Sequence, residues 1–232
     1  NGFTGPGWYD VGVLDTGITF RSDNGLDVLP YSHKGSANDN KTWVGGPPDI
    51  SDENGHGTAV AGIIASTGTQ QSPQYKGVAP TIHVLINGKV APNATESNIM
   101  LAIEWAITQS DAKAESINLS QGTGNTNNAF PPYNYSNSVL AKYVDFTVDT
   151  LDVPFVKSAG NEGFVGGVTK PGDAYNGIAV GNVDDRGTIT TSDDTIWSTS
   201  SRGPLPGGRH KPNLVAPGKA IKTSSRNGGF SD

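Results

Sequence analysis

The sequence predicts an α/β fold in which a mainly parallel central sheet is flanked by helices. Strand-like and helix-like patterns alternate along the 232 residues, and such alternation is typical of parallel strands joined by helical crossovers. Glycine is abundant, with 31 residues, whereas 34% of the residues are hydrophobic. Because a glycine inside a helix costs roughly 1 kcal/mol relative to alanine, this composition favours a loop-rich α/β protein over a helical bundle.

The first half of the chain supplies two strands and two helices. Residues 11–14 form a short apolar run ending at Asp15, which predicts a buried strand that presents this aspartate at its carboxyl end. Residues 58–65 are small and apolar without proline, and predict a helix directly after His56. Residues 81–86 predict the second strand. Thr95 or Ser97 then caps a helix whose apolar residues recur with the 3.6-residue period, at Ile99, Ile103, Ala106 and Ile107.

The second half repeats the alternation. The predicted elements are a strand over residues 116–119, an amphipathic helix over 138–151 with Leu140, Val144 and Leu151 on one side, and strands over 153–158 and 177–183. Two polar, turn-rich stretches, residues 32–53 and 122–137, predict loops. In open parallel sheets the active groups gather beyond the carboxyl ends of the strands. Asp15, Gly122 and Asn161 all follow predicted strands, so we expect them to converge.

Composition and charge exclude several classes of function. The net charge is −6 and no cluster of Lys or Arg is present, which argues against a nucleic-acid partner. No stretch approaches the roughly 20 apolar residues that span a bilayer, so we expect no membrane association. The absence of cysteine excludes disulfides, thiolate metal sites and a cysteine nucleophile.

Four short motifs follow one another along the chain. They are Val-Leu-Asp-Thr-Gly at 13–17, Asn-Gly-His-Gly-Thr at 54–58, Ser-Ala-Gly-Asn at 158–161 and Lys-Pro-Asn-Leu-Val-Ala-Pro-Gly at 211–218. In this order they resemble the subtilisin-like serine peptidases, whose triad runs Asp, His, Ser along the chain. The resemblance extends over almost the whole sequence. It implies a subtilisin-like three-layer fold and a serine endopeptidase that hydrolyses peptide bonds through an acyl-enzyme.

The chemistry of peptide hydrolysis suits three of these residues. A serine hydroxyl needs an imidazole to remove its proton, and the imidazole needs a buried carboxylate to fix its tautomer. Asp15, at the end of an apolar strand, suits the carboxylate, and His56 suits the base because Gly55 and Gly57 let its ring approach a substrate. Asn161 suits the oxyanion hole, since a side-chain amide donates a hydrogen bond without carrying charge.

The resemblance also implies residues that bind substrate. Backbone groups of Ser120, Gln121 and Gly122 are expected to pair with an extended polypeptide as an added strand, with a turn around Gly88 and Lys89 on its other side. Ser158, Ala159 and Gly160 are expected to line the pocket for the residue before the scissile bond. Glu162 either biases that pocket toward basic side chains or is a solvated surface residue.

The nucleophile is where the sequence departs from the family. The family carries its serine in a Gly-Thr-Ser segment shortly after Ala-Pro-Gly, and no Gly-Thr-Ser occurs in this chain. Ser231 lies close to the expected place, but Gly-Phe-Ser-Asp lacks the family context. We therefore expect a single subtilase catalytic domain over residues 1–232 that is incomplete at its C-terminus and at its N-terminus. Its expected partner is a complementary C-terminal fragment carrying the serine.

Two other classes of function remain open at this stage. The first is a catalytically dead subtilase-like domain with a binding or structural role, although such a module has no chemical need of Asp15, His56 and Asn161 together. The second is an esterase on an α/β sheet, which the order of the motifs disfavours because esterases place a Gly-x-Ser-x-Gly serine first. The sequence following Asp232 would distinguish a peptidase from a dead domain.

The sequence also leads to expectations about cofactors and cellular location. Catalysis by such a triad requires no cofactor. The family often binds structural calcium, but no ligand set is assignable among Asp23, Asp27, Asp49 and Asp52, so no metal site is predicted. A cysteine-free chain fits a secreted enzyme stabilised without disulfide bridges, and an extracellular location is expected.

Overall fold

The computed structural model describes residues 9–26, 40–42, 50–70, 72–92, 94–109, 112–122, 138–205 and 208–232. In chain order the main elements are β1 (Asp10–Asp15), β2 (Asn40–Thr42), α1 (His56–Ala65), β3 (Val84–Lys89), α2 (Glu96–Glu104), β4 (Ser116–Leu119), α3 (Val139–Leu151), β5 (Phe155–Ser158), β6 (Ile178–Asp184), β7 (Thr195–Ile196), β8 (Leu214–Pro217), β9 (Thr223–Ser224) and β10 (Phe230–Ser231). They fall into two compact units, Asn1–Ser120 with Lys222–Asp232, and Gln121–Ile221.

The first unit is built on parallel strands in the order β2-β3-β1-β4. Leu14 of β1 lies opposite Gly88 of β3 and Leu119 of β4, so β1 has a neighbour on each side. Strands of a parallel sheet are covered on both faces and therefore read as continuous apolar runs. This explains why Val13 and Leu14 are fully buried. The unit also contains the short antiparallel ribbon of β9 and β10.

Helix α1 packs on this unit through small side chains. Gly57, Ala61 and Ala65 are buried, and the two alanines join the apolar cluster that contains Val13 and Leu85. On another side α1 meets β9, where Thr223 Oγ1 donates to the carbonyl of Ala59 at 2.7 Å. Small residues let the helix axis approach the sheet closely, and this approach fixes the position of the first turn of α1.

In the second unit, β6 pairs in parallel with β5 and β8, and antiparallel with β7. Ser138 caps α3, its hydroxyl accepting from the backbone N–H of Ala141 at 3.0 Å. The other end of α3 closes on Asp152 in the left-handed conformation, with φ of 57°. The predicted mainly parallel sheet with helices is confirmed.

The five predicted strands and three predicted helices are present, with shifted boundaries at β3 and β5. The strand β2 lies within residues 32–53, which were predicted as a loop. The strand predicted over residues 81–86 begins at Val84 and continues to Lys89, because its register with β1 runs from Asp10 to Asp15. The buried side of α3 is Leu140, Ala141, Val144 and Thr147, whereas Leu151 is 38% exposed at its last position. Residues 32–49 and 123–137 of the predicted loops lie outside the described residues, apart from 40–42. Within the described part of the chain, every helix is too short or too polar to cross a membrane.

Candidate active site

Asp15 and His56 form a hydrogen-bonded pair in the first unit. Asp15 is the last residue of β1, and His56 is the first residue of α1. Nδ1 of His56 lies 2.7 Å from Oδ1 of Asp15, and the ring donates because an ionised carboxylate only accepts. The carboxylate is 1% exposed, whereas the histidine side chain is 44% exposed. A buried acceptor therefore orients a ring that is partly exposed to solvent.

This pairing changes the basicity of the ring. The hydrogen bond that His56 donates to Asp15 raises the pKa of His56 above its usual value of 6.5, against the opposing effect of burial. The charges of Asp15 and Asp52 act in the same direction as the hydrogen bond. The imidazolium form is therefore stabilised, which is the form that a general base reaches during proton transfer.

The N-terminus of α1 is fixed by a close contact with the turn after β1. A Cβ added at Gly57 would lie 2.1 Å from the carbonyl oxygen of Gly17 and 3.1 Å from Cβ of Asp15. The sequence-based interpretation of Gly57, space for a substrate, is therefore incomplete. This glycine lets the first turn of α1 pack directly against the strand end that carries Asp15, and so brings the two side chains within hydrogen-bond distance.

Asp52 accepts hydrogen bonds from residues at the N-terminus of α1. Its Oδ2 accepts from the backbone N–H and the hydroxyl of Thr58, at 2.8 and 2.7 Å. Its Oδ1 accepts from Thr16 Oγ1 at 2.8 Å, from Gly55 N at 2.7 Å and from Asn54 N at 3.1 Å. Burial of Asp52 favours its neutral form, but these hydrogen bonds outweigh burial and hold its pKa below the usual value. Asp52 thus binds the first turn of α1 as an anion at the positive end of the helix dipole, from a position three residues before the N-cap Gly55.

Sequence analysis considered Asp52 only as a calcium ligand and missed this role. No direct sequence signal marks this role, because a typical capping residue immediately precedes the helix, whereas Asp52 lies three residues before the N-cap Gly55. Asp23 forms an exposed ion pair with Arg21, and Asp27 and Asp49 lie outside the described residues. Across the described ranges, His, Asp and Glu form no group of three or more suited to a metal ion.

The expected turn at Gly88 and Lys89 is wrong. Both residues lie within β3, paired with Leu14 and Asp15. Lys89 is 7% exposed, and its Nζ donates to the carbonyl of Ser51 at 2.8 Å. The lysine side chain therefore links the segment before α1 to β3.

The residues expected to bind an extended substrate follow β4. Ser120 closes the first unit, and its hydroxyl accepts from the Asn118 side chain at 3.1 Å. Gln121 and Gly122 open the second unit. Within that unit the Gly122 backbone faces the Thr169 side chain, whose Oγ1 would lie 3.5 Å from an added Cβ.

The segment expected to line the substrate pocket begins at the carboxyl end of β5, in the second unit. Ser158 is the last residue of β5, and it is followed by Ala159, Gly160 and Asn161. Ala159 N donates to the carbonyl of Val180 at 2.7 Å. The Ala159 carbonyl in turn accepts from the backbone N–H of Thr169 at 2.8 Å. Asn161 itself is exposed, directly after this fixed segment. The arrangement is a hydrogen-bonded backbone segment followed by a solvent-accessible amide.

Two residues near these segments were missed by sequence analysis. Lys157 is 1% exposed, and its Nζ donates to the carbonyl and the hydroxyl of Ser158 at 2.5 and 3.0 Å. Burial lowers its pKa to about 7. Thr169, the second residue, lies against Gly160. A lysine in an apolar strand pattern gives a weak signal, because lysines usually reach the surface.

Comparison with known proteins identifies relatives whose sequences are similar over almost the whole chain. The family model described as the subtilase family matches residues 9–231. Serine protease AprX of Bacillus subtilis (strain 168) is 32% identical over 226 residues, which cover 94% of this chain and 48% of that protein. Alkaline elastase YaB of Bacillus sp. (strain YaB) is 30% identical, over 99% of this chain and 50% of its own length. The chain spans about half the length of these relatives.

Solved structures give the same result. A structure described as S41 psychrophilic protease superimposes with a TM-score of 0.70 at 26% identity, covering 97% of this chain and 71% of its own. A cold-adapted subtilisin-like serine proteinase gives a TM-score of 0.65 at 26% identity, covering 97% and 69%.

Proposed function

Since the chain belongs to the subtilase family, we propose that it forms the Asp- and His-bearing part of a serine endopeptidase. The enzyme hydrolyses peptide bonds through an acyl-enzyme, and its nucleophilic serine is on sequence outside this chain. The observation that carries this proposal is the 2.7 Å contact between Nδ1 of His56 and Oδ1 of the buried Asp15.

The pair supports general-base catalysis in the following way. With its Nδ1 proton held by Asp15, the neutral ring of His56 presents Nε2 as the proton acceptor. Nε2 removes the proton of the serine hydroxyl as its oxygen attacks the scissile carbonyl, and the buried carboxylate stabilises the imidazolium that forms. The ring then gives this proton to the leaving amine. A water molecule repeats the sequence on the acyl-enzyme, which releases the second product.

The remaining site residues take the roles that the family resemblance implies. The exposed Asn161 amide donates to the oxyanion of the tetrahedral intermediate, and its position after the hydrogen-bonded segment at the end of β5 supports this role. Backbone groups of Ser120, Gln121 and Gly122 pair with an extended polypeptide substrate. Ser158, Ala159 and Gly160 line the pocket for the residue before the scissile bond. The proposed enzyme needs no cofactor for catalysis and acts in the extracellular space.

The test uses the complete protein that contains this chain. We expect it to hydrolyse casein and to react with a fluorophosphonate probe, and we expect His56→Ala to abolish both reactions without altering the circular dichroism spectrum. Native and denaturing mass spectra then show whether the probe is on this 24.1 kDa piece or on a second one. Absence of both reactions from folded wild-type protein would favour the alternative, a catalytically dead subtilase-like domain.

A further inference from the structure

A buried lysine lies directly behind the segment proposed to form the substrate pocket. Lys157 is the third residue of β5 and is 1% exposed. Its amine donates to the Ser158 carbonyl at 2.5 Å, to the Ser158 hydroxyl at 3.0 Å and to Thr169 Oγ1 at 3.4 Å. The three donors of an ammonium group are thus all directed at oxygens of two residues.

Ser158 and Thr169 connect Lys157 to the expected substrate pocket. Ser158 and Thr169 are both partly exposed. A Cβ added at Gly160 would lie 2.7 Å from the Thr169 side chain, so Thr169 fits closely against the pocket segment. Gly122, the last residue of the other expected substrate-binding segment, faces the same threonine. Lys157 is therefore linked, through two hydroxyl groups, to the surface on which a substrate side chain would rest.

The hydrogen bonds leave a donor available at this surface. A hydroxyl group has one proton to donate and two lone pairs that accept. The Ser158 hydroxyl accepts from Lys157, and within the described residues its own proton has no acceptor. Thr169 Oγ1 donates to the Ala159 carbonyl only at 3.5 Å. The Ser158 proton, polarised by an adjacent ammonium group, is thus suited to a negatively charged acceptor.

Lys157 makes no direct ion pair within the described part of the unit. Within the described part of the chain, the amine donates only to neutral oxygens, and the buried Asp173 carboxylate acts on it through space. The energetic consequence is visible in the lysine pKa, which burial lowers to about 7. A second carboxylate near Ser158 would restore the favourable charge environment that burial removes.

We propose that Lys157 is a specificity-determining residue that makes this pocket select an acidic side chain, Glu or Asp, on the residue before the scissile bond. The contact to the substrate carboxylate is made by the Ser158 hydroxyl, with Thr169 beside it, and Lys157 acts through both. This inference rests on the proposed function and names its substrate class. It opposes the alternative that Glu162 biases the same pocket toward basic side chains.

The test compares peptides that differ only at this residue, carrying Glu, Gln or Lys, with the complete protein as the enzyme. Glu and Gln have the same shape, so their kcat/KM ratio isolates the carboxylate, and the titration of His56 cancels from the ratio. We expect Glu to exceed Gln by roughly ten- to a hundredfold near pH 6, the size of a hydrogen bond to a charged group. The ratio falls toward one as the pH rises through about 7 and Lys157 loses its proton.

Variants separate a specificity role from a structural one. Lys157→Met keeps the length of the side chain and should bring the ratio close to one at every pH. Ser158→Ala, which leaves the lysine in place, should lower the ratio as well. Lys142→Met is the matched control, because Lys142 is an exposed lysine of the same unit, and it should leave the ratio and its pH dependence unchanged.

The outcomes distinguish the two proposals. Hydrolysis of casein with a Glu/Gln ratio near one, or a preference for Lys, overturns the acidic pocket and leaves the peptidase assignment in place. Failure of the folded protein to hydrolyse casein or any peptide overturns both. Should Lys157→Met fail to fold, the pH dependence of the wild-type ratio and the Ser158→Ala variant decide the question.

Discussion

Replacing Asp52 by asparagine tests how the N-terminus of α1 is held. Asparagine keeps one acceptor oxygen but puts an NH₂ group where Oδ2 accepts two hydrogen bonds from Thr58. Each lost bond to a buried charged acceptor costs about 1.5–3 kcal/mol, and rotation of the Thr58 hydroxyl recovers part of one, so the net loss is about 3 kcal/mol. For a chain of 232 residues that corresponds to a fall in Tm of roughly 6–12 °C, and the fall is smaller in a longer protein.

The assay is thermal unfolding of the complete protein followed by circular dichroism, with Asp23→Asn as the control. Asp23 carries the same carboxylate but is exposed and binds Arg21 on the surface, so its loss should shift Tm far less. Because the folded pKa of Asp52 is depressed, its contribution is complete above the unfolded pKa of about 4. The contribution is lost as the pH falls through the lower, folded value. Equal Tm values for the two variants at pH 7 would refute the reasoning.

Three further predictions concern the site and its supports. Asp15→Asn should lower kcat of the complete protein by about 10⁴-fold, which is the typical loss when the aspartate of a serine peptidase triad is replaced. Because Asp15 raises the pKa of His56, the acidic limb of the wild-type kcat/KM profile should lie above pH 6.5, and any residual activity of the variant should titrate at lower pH. Gly57→Ala should lower activity at least tenfold and Tm by several degrees, since its Cβ would clash with the Gly17 carbonyl; full activity would contradict the close-packing argument. Ser138→Ala removes the cap of α3 and should cost about 1 kcal/mol in urea unfolding, whereas Ser138→Thr should cost less.

The sequence by itself predicted β1, β3, β4, β5 and β6 and the helices α1, α2 and α3 in their order, whereas the strands β2, β7, β8, β9 and β10 appear only in the structure. The apolar run before Asp15 predicts a buried strand, and the proline-free run after His56 predicts a helix, because both patterns are set by burial over a few neighbouring residues. Motif order was also sufficient to identify the family resemblance. Thr95 as a cap of α2 and Ser138 as the cap of α3 are local features too, since the hydroxyl binds a backbone N–H three residues later.

Contacts between distant residues were decided only by the tertiary structure. The bond between Asp15 and His56 joins residues 41 positions apart, and it depends on an approach of α1 that only a glycine at position 57 allows. The side chain of Lys89 turns into the protein to bind Ser51, and Lys157 lies behind the Ser158 segment. Sequence patterns record whether a side chain is apolar, but the direction of a long polar side chain depends on which acceptors the fold places within its reach. For that reason the hydrogen bonds of Lys89 and Lys157 became visible only in the three-dimensional structure.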